Sequence, residues 1–122
     1  MALDIVALAL AKKGGGGGGG VKEVYVESST PTIIAEANTR YVCDEVTTIS
    51  ITPTQTGVTD VVFASGATPT ALTVPATVLF PAWFDPTDLY SNVIYEISIM
   101  DGIFGAVAMW TRPHYEEEEP ST

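Results

Sequence analysis

Three kinds of side chain in this sequence have the chemistry for catalysis or metal binding: the single histidine His114, the single cysteine Cys43, and the aspartates Asp85, Asp88 and Asp101. A Ser-His-Asp relay would have to run through His114. That residue sits at the margin of the acidic segment TRPHYEEEEPST, where nothing orients an imidazole. A metal centre needs several ligands at fixed geometry, which this segment cannot hold, and one cysteine excludes both an intramolecular disulfide and a cysteine-rich metal site. Glu116–Glu119 has the charge to attract Ca²⁺ weakly but lacks the alternating oxygen donors and the glycine of an EF-hand loop. The three aspartates lie near turns, where a carboxylate commonly caps backbone donors, and paired-carboxylate glycosidase chemistry needs a larger cleft than a chain of this size readily forms. The expectation is a non-enzymatic protein with no cofactor and no metal. Cys43, in a strand-like run, reads as a small buried hydrophobe.

Binding chemistry is the other class to weigh. Phe80-Pro81-Ala82-Trp83-Phe84-Asp85-Pro86, followed by Asp88-Leu89-Tyr90, is an aromatic segment stiffened by prolines. It reads first as a lid over the open end of a small β core. The rival is a sugar-stacking platform made of Trp83, Phe84 and Tyr90, and burial discriminates: an exposed aromatic row favours carbohydrate, a buried cluster favours the lid. Trp83 and Phe84 are accordingly the candidate surface-binding residues. Gly14–Gly20 is not a phosphate loop, because no Gly-Lys-Ser/Thr closes it and VKEVYVES, an alternating strand pattern, follows.

Composition narrows the partners. The formal charge is −10, and only five residues are Lys or Arg, which disfavours a nucleic-acid backbone as ligand. Apolar residues make up 46% of the chain and charged residues 16%, a poor surface for a lone domain. Some of that apolar surface is expected to meet other copies or other proteins.

The elements that must position these groups fall into four segments. Residues 1–13, MALDIVALALAKK, read as a short helix, apolar nearly all round, whose lysines suit a helix C-terminus. It is too short for the roughly 20 residues of a membrane span, and its lysines follow the apolar run instead of preceding it as in a secretory signal. It is expected to be buried against partners through Leu3, Ile5, Val6, Leu8 and Leu10, as a bundle of identical helices or as a plug in another protein; a frayed end is the alternative. Residues 14–20 read as a flexible tether of roughly 15 Å reach, or else as extended glycine packed against symmetry mates. Residues 21–112 form the β domain, and residues 113–122 a solvated acidic tail.

Within the β domain the period is two. Val21–Ser28, Ile33–Glu36, Arg40–Cys43, Val46–Ile51, Thr59–Ala64, Ala71–Val74 and Val78–Phe80 are the candidate strands, separated by short turns such as Ser65–Thr70, where Gly66 is free to take positive φ. Thr47, Ile49 and Ile51 read as the inward face of their strand, while Val61 and Phe63 against Val62 and Ala64 leave the choice open. Ile94–Met100 and Ile103–Trp110 meet at Asp101–Gly102, a type I′ signal for a closing hairpin. Tyr95, Ile97 and Ile99 form its apolar face, and IFGAVAMW is apolar on both sides, as for a strand covered twice. The expected fold is all-β, an antiparallel β-sandwich or small barrel.

The segments TRYVCDEVTTISITP, FASGATPTALTVP, VLFP and YEISIMDGIFGAVAMW, about seventy residues between Tyr41 and Trp110, resemble small proteins encoded among the virion genes of bacteriophages and prophages of gut Firmicutes. The resemblance implies a structural β domain of a head fibre, capsid decoration or tail fibre, commonly a homotrimer. Its expected partners are other copies and other virion proteins such as capsid or tail, with a host-surface glycan as a further ligand. Its place would be the virion, assembled in the host cytoplasm. The helix, the glycine run and the acidic tail lie outside the resemblance.

Overall fold

The computed structural model describes residues 21–111. The proposed helix, the glycine tether and the acidic tail, with Leu3, Ile5, Val6, Leu8 and Leu10, lie outside the described residues. Inside them the chain is all-β: β1 Lys22–Val26, β2 Thr32–Ile34, β3 Thr39–Val46, β4 Thr48–Thr52, β5 Val58–Ser65, β6 Ala71–Thr73, β7 Val93–Met100 and β8 Phe104–Thr111.

The strands sort alternately into two sheets, one of five strands in the order β1-β3-β5-β7-β8 and one of three in the order β2-β4-β6. The chain lays a strand in the first sheet, turns, lays one in the second, and returns beside its starting strand running the same way. Lys22 therefore aligns with Thr39 and Thr39 with Thr59, while Ile33 aligns with Ile51 and Ile49 with Leu72. All four of these pairings are parallel. The expected antiparallel sandwich is corrected here: only β5–β7 and β7–β8 are antiparallel, so the larger sheet is mixed. Short turns suggest hairpins because an antiparallel pair needs only a tight loop, whereas a parallel pair needs a crossover of a dozen or more residues. Here the crossover is itself a strand of the other sheet.

The core lies between the sheets. Ile33, Ile49 and Ile51 from the smaller sheet meet Tyr41, Cys43, Val61, Phe63, Tyr95, Ile97 and Ile99 from the larger. The inward face of β7 and the inward Ile49 and Ile51 of β4 are those the alternation predicts, while Thr47 is exposed in the turn before β4. Strand β5 is buried on both sides: Val61 and Phe63 face the core, while Val62 and Ala64 form a separate buried cluster with Ile94 on the outer face of the large sheet.

Three local readings change. Val78–Phe80 is not a strand; only Leu79 makes a bridge, to Phe104. Gly66 does not take positive φ, the positive-φ glycines among the described residues being Gly57 and Gly102. A Cβ at Gly66 would lie 2.1 Å from Glu45 Oε2, so this position needs space for a neighbour. Strand β8, expected to be covered on both faces, is an edge strand with Phe104, Ala106, Ala108 and Trp110 exposed. The hairpin turn itself has the expected conformation, with Asp101 at φ 52° and Gly102 at φ 71°. Its loop is one residue longer than a two-residue turn, since Met100 pairs with Phe104 and leaves Ile103, whose carbonyl accepts from Leu79 N at 2.7 Å.

Candidate functional site

The long connection between β6 and β7 builds the most site-like feature. It inserts Val78, Phe84 and Leu89 into the main core. Phe84 meets Phe80 and Tyr95 edge-on, with ring centroids 5.0 and 6.1 Å away. Buried edge-to-face aromatic contacts of this kind each add about 0.5–1.5 kcal/mol to simple area burial. Tyr95 continues the stack onto Phe63, at 5.4 Å, and its hydroxyl accepts the Tyr90 N–H at 2.7 Å. Burial pushes the Tyr95 phenol above its ordinary pKa. Asp85 fixes the turn that follows, because its Oδ1 accepts from Thr87 Oγ1 at 2.6 Å and from Thr87 N at 2.9 Å. Those two bonds, the hydroxyl first, hold the Asp85 carboxyl below the usual carboxylate range.

The two sequence-predicted site residues are thereby separated. Phe84 is 7% exposed and closes the core, as a lid residue should; Trp83 is 61% exposed and Tyr90 62%. Trp83 and Tyr90 share with Phe84, Asp85, Asp88, Tyr95 and Met109 a shallow recess of about 100 Å³. Exposed aromatic faces beside two carboxylates suit a ligand with C–H faces and hydroxyl donors. The recess is well below the roughly 300–1,000 Å³ of enclosed small-molecule pockets, so it fits part of a ligand only.

A second cluster lies on the outer face of the large sheet. Arg40 is 2% exposed; its Nη1 donates to Glu96 Oε2 at 2.6 Å and lies 3.7 Å from Asp60 Oδ2. Asp60 also accepts from the Ser98 hydroxyl. The strand register produces this grouping, placing Arg40 beside Asp60 and Asp60 beside Ser98, with Glu96 two residues along β7. Arg40 Nε, Arg40 Nη2 and Asp44 Oδ1 are buried without hydrogen-bond partners. Sequence reasoning missed this cluster. The available signal was a charge of each sign inside apolar β runs, Arg40 in TRYVC and Glu96 in VIYEISI.

Three further titratable groups make structural contacts. Cys43 is a free cysteine, wholly buried, whose thiol is pushed up to about 12 by burial. Such a thiol stays protonated and poorly nucleophilic at neutral pH. Tyr25 donates to Asp44, and that bond raises its phenol to about 12. Asp101 accepts the Gly57 N–H through Oδ1 at 2.8 Å and so ties the hairpin turn to the β4–β5 turn. Among the described residues no group of histidine, cysteine and carboxylates has metal-binding geometry, and no helix is long and apolar enough to cross a membrane. No protein-family model, curated protein or solved structure matches the chain.

Proposed function

We propose that this chain is a non-enzymatic virion structural protein, a head fibre, capsid decoration or tail-fibre component, anchored by its N-terminal segment and displaying the β domain as a homotrimer. The observation that carries the reading is a polarity in the large sheet. Residues 1–20 join the domain at β1, one edge of the sheet, while β8 at the opposite edge presents Phe104 and Trp110, which are 54% and 46% exposed. Attachment through Leu3, Ile5, Val6, Leu8 and Leu10 leaves the β8 edge free for subunit or receptor contact. Exposed large apolar side chains of this kind mark interaction surfaces when they are contiguous, and Met100, Ile103 and Phe104 are neighbours around the hairpin turn.

Sedimentation of the full chain over a dilution series tests the association. A trimer persisting into the micromolar range supports the reading, and a monomer throughout overturns its oligomeric half. Immunodetection in purified particles tests the virion half.

A second reading is favoured by one observation, the exposure of Trp83 and Tyr90 beside Asp85 and Asp88: a carbohydrate- or receptor-binding module. Titration with a panel of oligosaccharides, followed by Trp83 fluorescence and amide shifts of Asp85–Tyr90, decides it. Saturable shifts confined to the recess support that module.

A further inference from the structure

The outer face of the large sheet is built to be covered. Val62 and Ala64 are 0% exposed, Ile94 1% and Val42 1%, a level of burial that a solvent-facing sheet surface does not reach. The smaller sheet lies on the opposite face, and Ala35, Val74, Val78, Phe80, Phe84 and Leu89, the apolar side chains of the connections, pack in the core between the sheets. Beside the apolar strip, Arg40 presents two buried donor nitrogens and Asp44 one buried acceptor oxygen, all without partners. Polar atoms buried this way cost about 1–3 kcal/mol each unless something meets them.

We propose that this face is the seat of the chain's own residues 1–20, with the apolar run Met1–Lys13 lying across Val42, Val62, Ala64 and Ile94. The proposal rests on reading 1–13 as an apolar helix and is independent of the virion assignment. Reach is sufficient: seven glycines extend roughly 15 Å as a coil, and three strand spacings from β1 to β7 amount to about 14 Å. Size matches as well, since a thirteen-residue helix is about 20 Å long and covers the width of those strands.

Charge selects this occupant over the acidic tail. The face carries Glu23, Asp44, Asp60 and Glu96 against Arg40, so four further glutamates are repelled, whereas Lys12 and Lys13 complement it and Asp44 Oδ1 accepts from an ammonium. Glycine carbonyls, with no Cβ to hold them off, give Arg40 Nε and Nη2 neutral acceptors that add no charge to the cluster. A helix apolar on all sides gains a rationale: one side sits on the sheet, and the other remains for the partner that the anchor engages.

The test is methyl NMR on the intact chain. NOEs from the Ile5 and Leu8 methyls, which share one side of a helix, to those of Val62 and Ile94 are expected, together with helical shifts over residues 3–11. In Ile5→Asp/Leu8→Asp the Val42, Val62 and Ile94 methyl shifts move, while those of Ile49 and Ile51 in the inner core stay fixed. Helical shifts without these NOEs overturn the docking but not the helix; absence of helical shifts overturns both. A mixture of labelled and unlabelled chains separates the sources, since NOEs that appear only between chains assign the seat to a second copy and overturn the intrachain form. Movement of the same methyls on deleting Glu116–Glu119 would make the tail the occupant.

Discussion

Arg40→Met is the most informative single perturbation of this fold. The substitution keeps most of the side-chain volume and removes the cation from a buried site where Glu96 Oε2 lies 2.6 Å and Asp60 Oδ2 3.7 Å from Nη1. Breaking a buried ion pair from one side costs about 3–5 kcal/mol, because the partner's charge stays behind in a poorly solvated place. A domain of this size is stabilised by about 5–13 kcal/mol in total, so the loss is a large share of the whole. At about 4–8 °C per kcal/mol, the melting temperature should fall by at least 12 °C. Glu96→Gln should cost less, about 1–3 kcal/mol, since Arg40 keeps Asp60 and the amide oxygen still accepts. The double variant Arg40→Met/Glu96→Leu should recover most of the loss, because a well-packed apolar pair of similar volume escapes the desolvation of two buried charges. Urea unfolding followed by circular dichroism supplies the cycle. If the single and double variants all lose the same stability, or if Arg40→Met melts with the parent, the ion pair is not what holds the outer face.

Other substitutions probe the remaining contacts. Gly102→Ala should destabilise by about 1–3 kcal/mol, because φ is +71° and the new Cβ would lie 2.9 Å from Thr54 O; denaturant midpoints check this against Ala106→Gly as an edge-strand control. Thr87→Val should raise the Asp85 pKa toward its ordinary value, as read by NMR titration; since the carboxyl is depressed in the folded state, its capping contribution is present at neutral pH and fades as pH falls through the folded value. Trp83→Ala should leave stability within about 0.5 kcal/mol because the side chain is exposed, and should abolish any saturable oligosaccharide shift in the recess.

Much of the β domain was legible because burial on one side of a strand imposes period two. Ile49 with Ile51, and Tyr95 with Ile97 and Ile99, point inward as alternation requires, and Asp101–Gly102 takes the backbone that its residue types favour. Strand direction was not legible, since alternation is the same in parallel and antiparallel pairs. A better signal lay in repetition: Thr39-Arg40-Tyr41-Val42-Cys43 and Thr59-Asp60-Val61-Val62-Phe63 share a pattern of threonine, charge and three apolar residues, and their first four residues align one for one in the sheet before the register shifts after Val42. The same repeat explains why opposite charges meet, because stacking one rung on the next sets position two of each beside the other. The aromatic site was half legible. Residue type suggested both Trp83 and Phe84, but only the fold decides which ring turns inward, and the space beside Tyr95 and Phe80 takes Phe84.

A coil of parallel strands has two open ends, and this chain closes them differently. At one end β7 reverses against β5, and β8 folds back on β7, so the parallel ladder stops. The outer edge of β8 is then partly paired by Leu79, which donates to Ile103 O and accepts from Gly105 N at 2.9 Å. At the other end, among the described residues, β1 has no strand beyond it and begins with Lys22 and Glu23, charges of the kind that discourage unplanned strand addition. The glycine run precedes β1 in the sequence. A side-chain-free segment can run along an edge or across a face without steric conflict, whereas a stiffer linker would fix the departing segment in one direction. The two ends therefore differ: the hairpin end is finished by its own residues and carries the exposed Phe104 and Trp110, while the β1 end is where residues 1–20 join the domain.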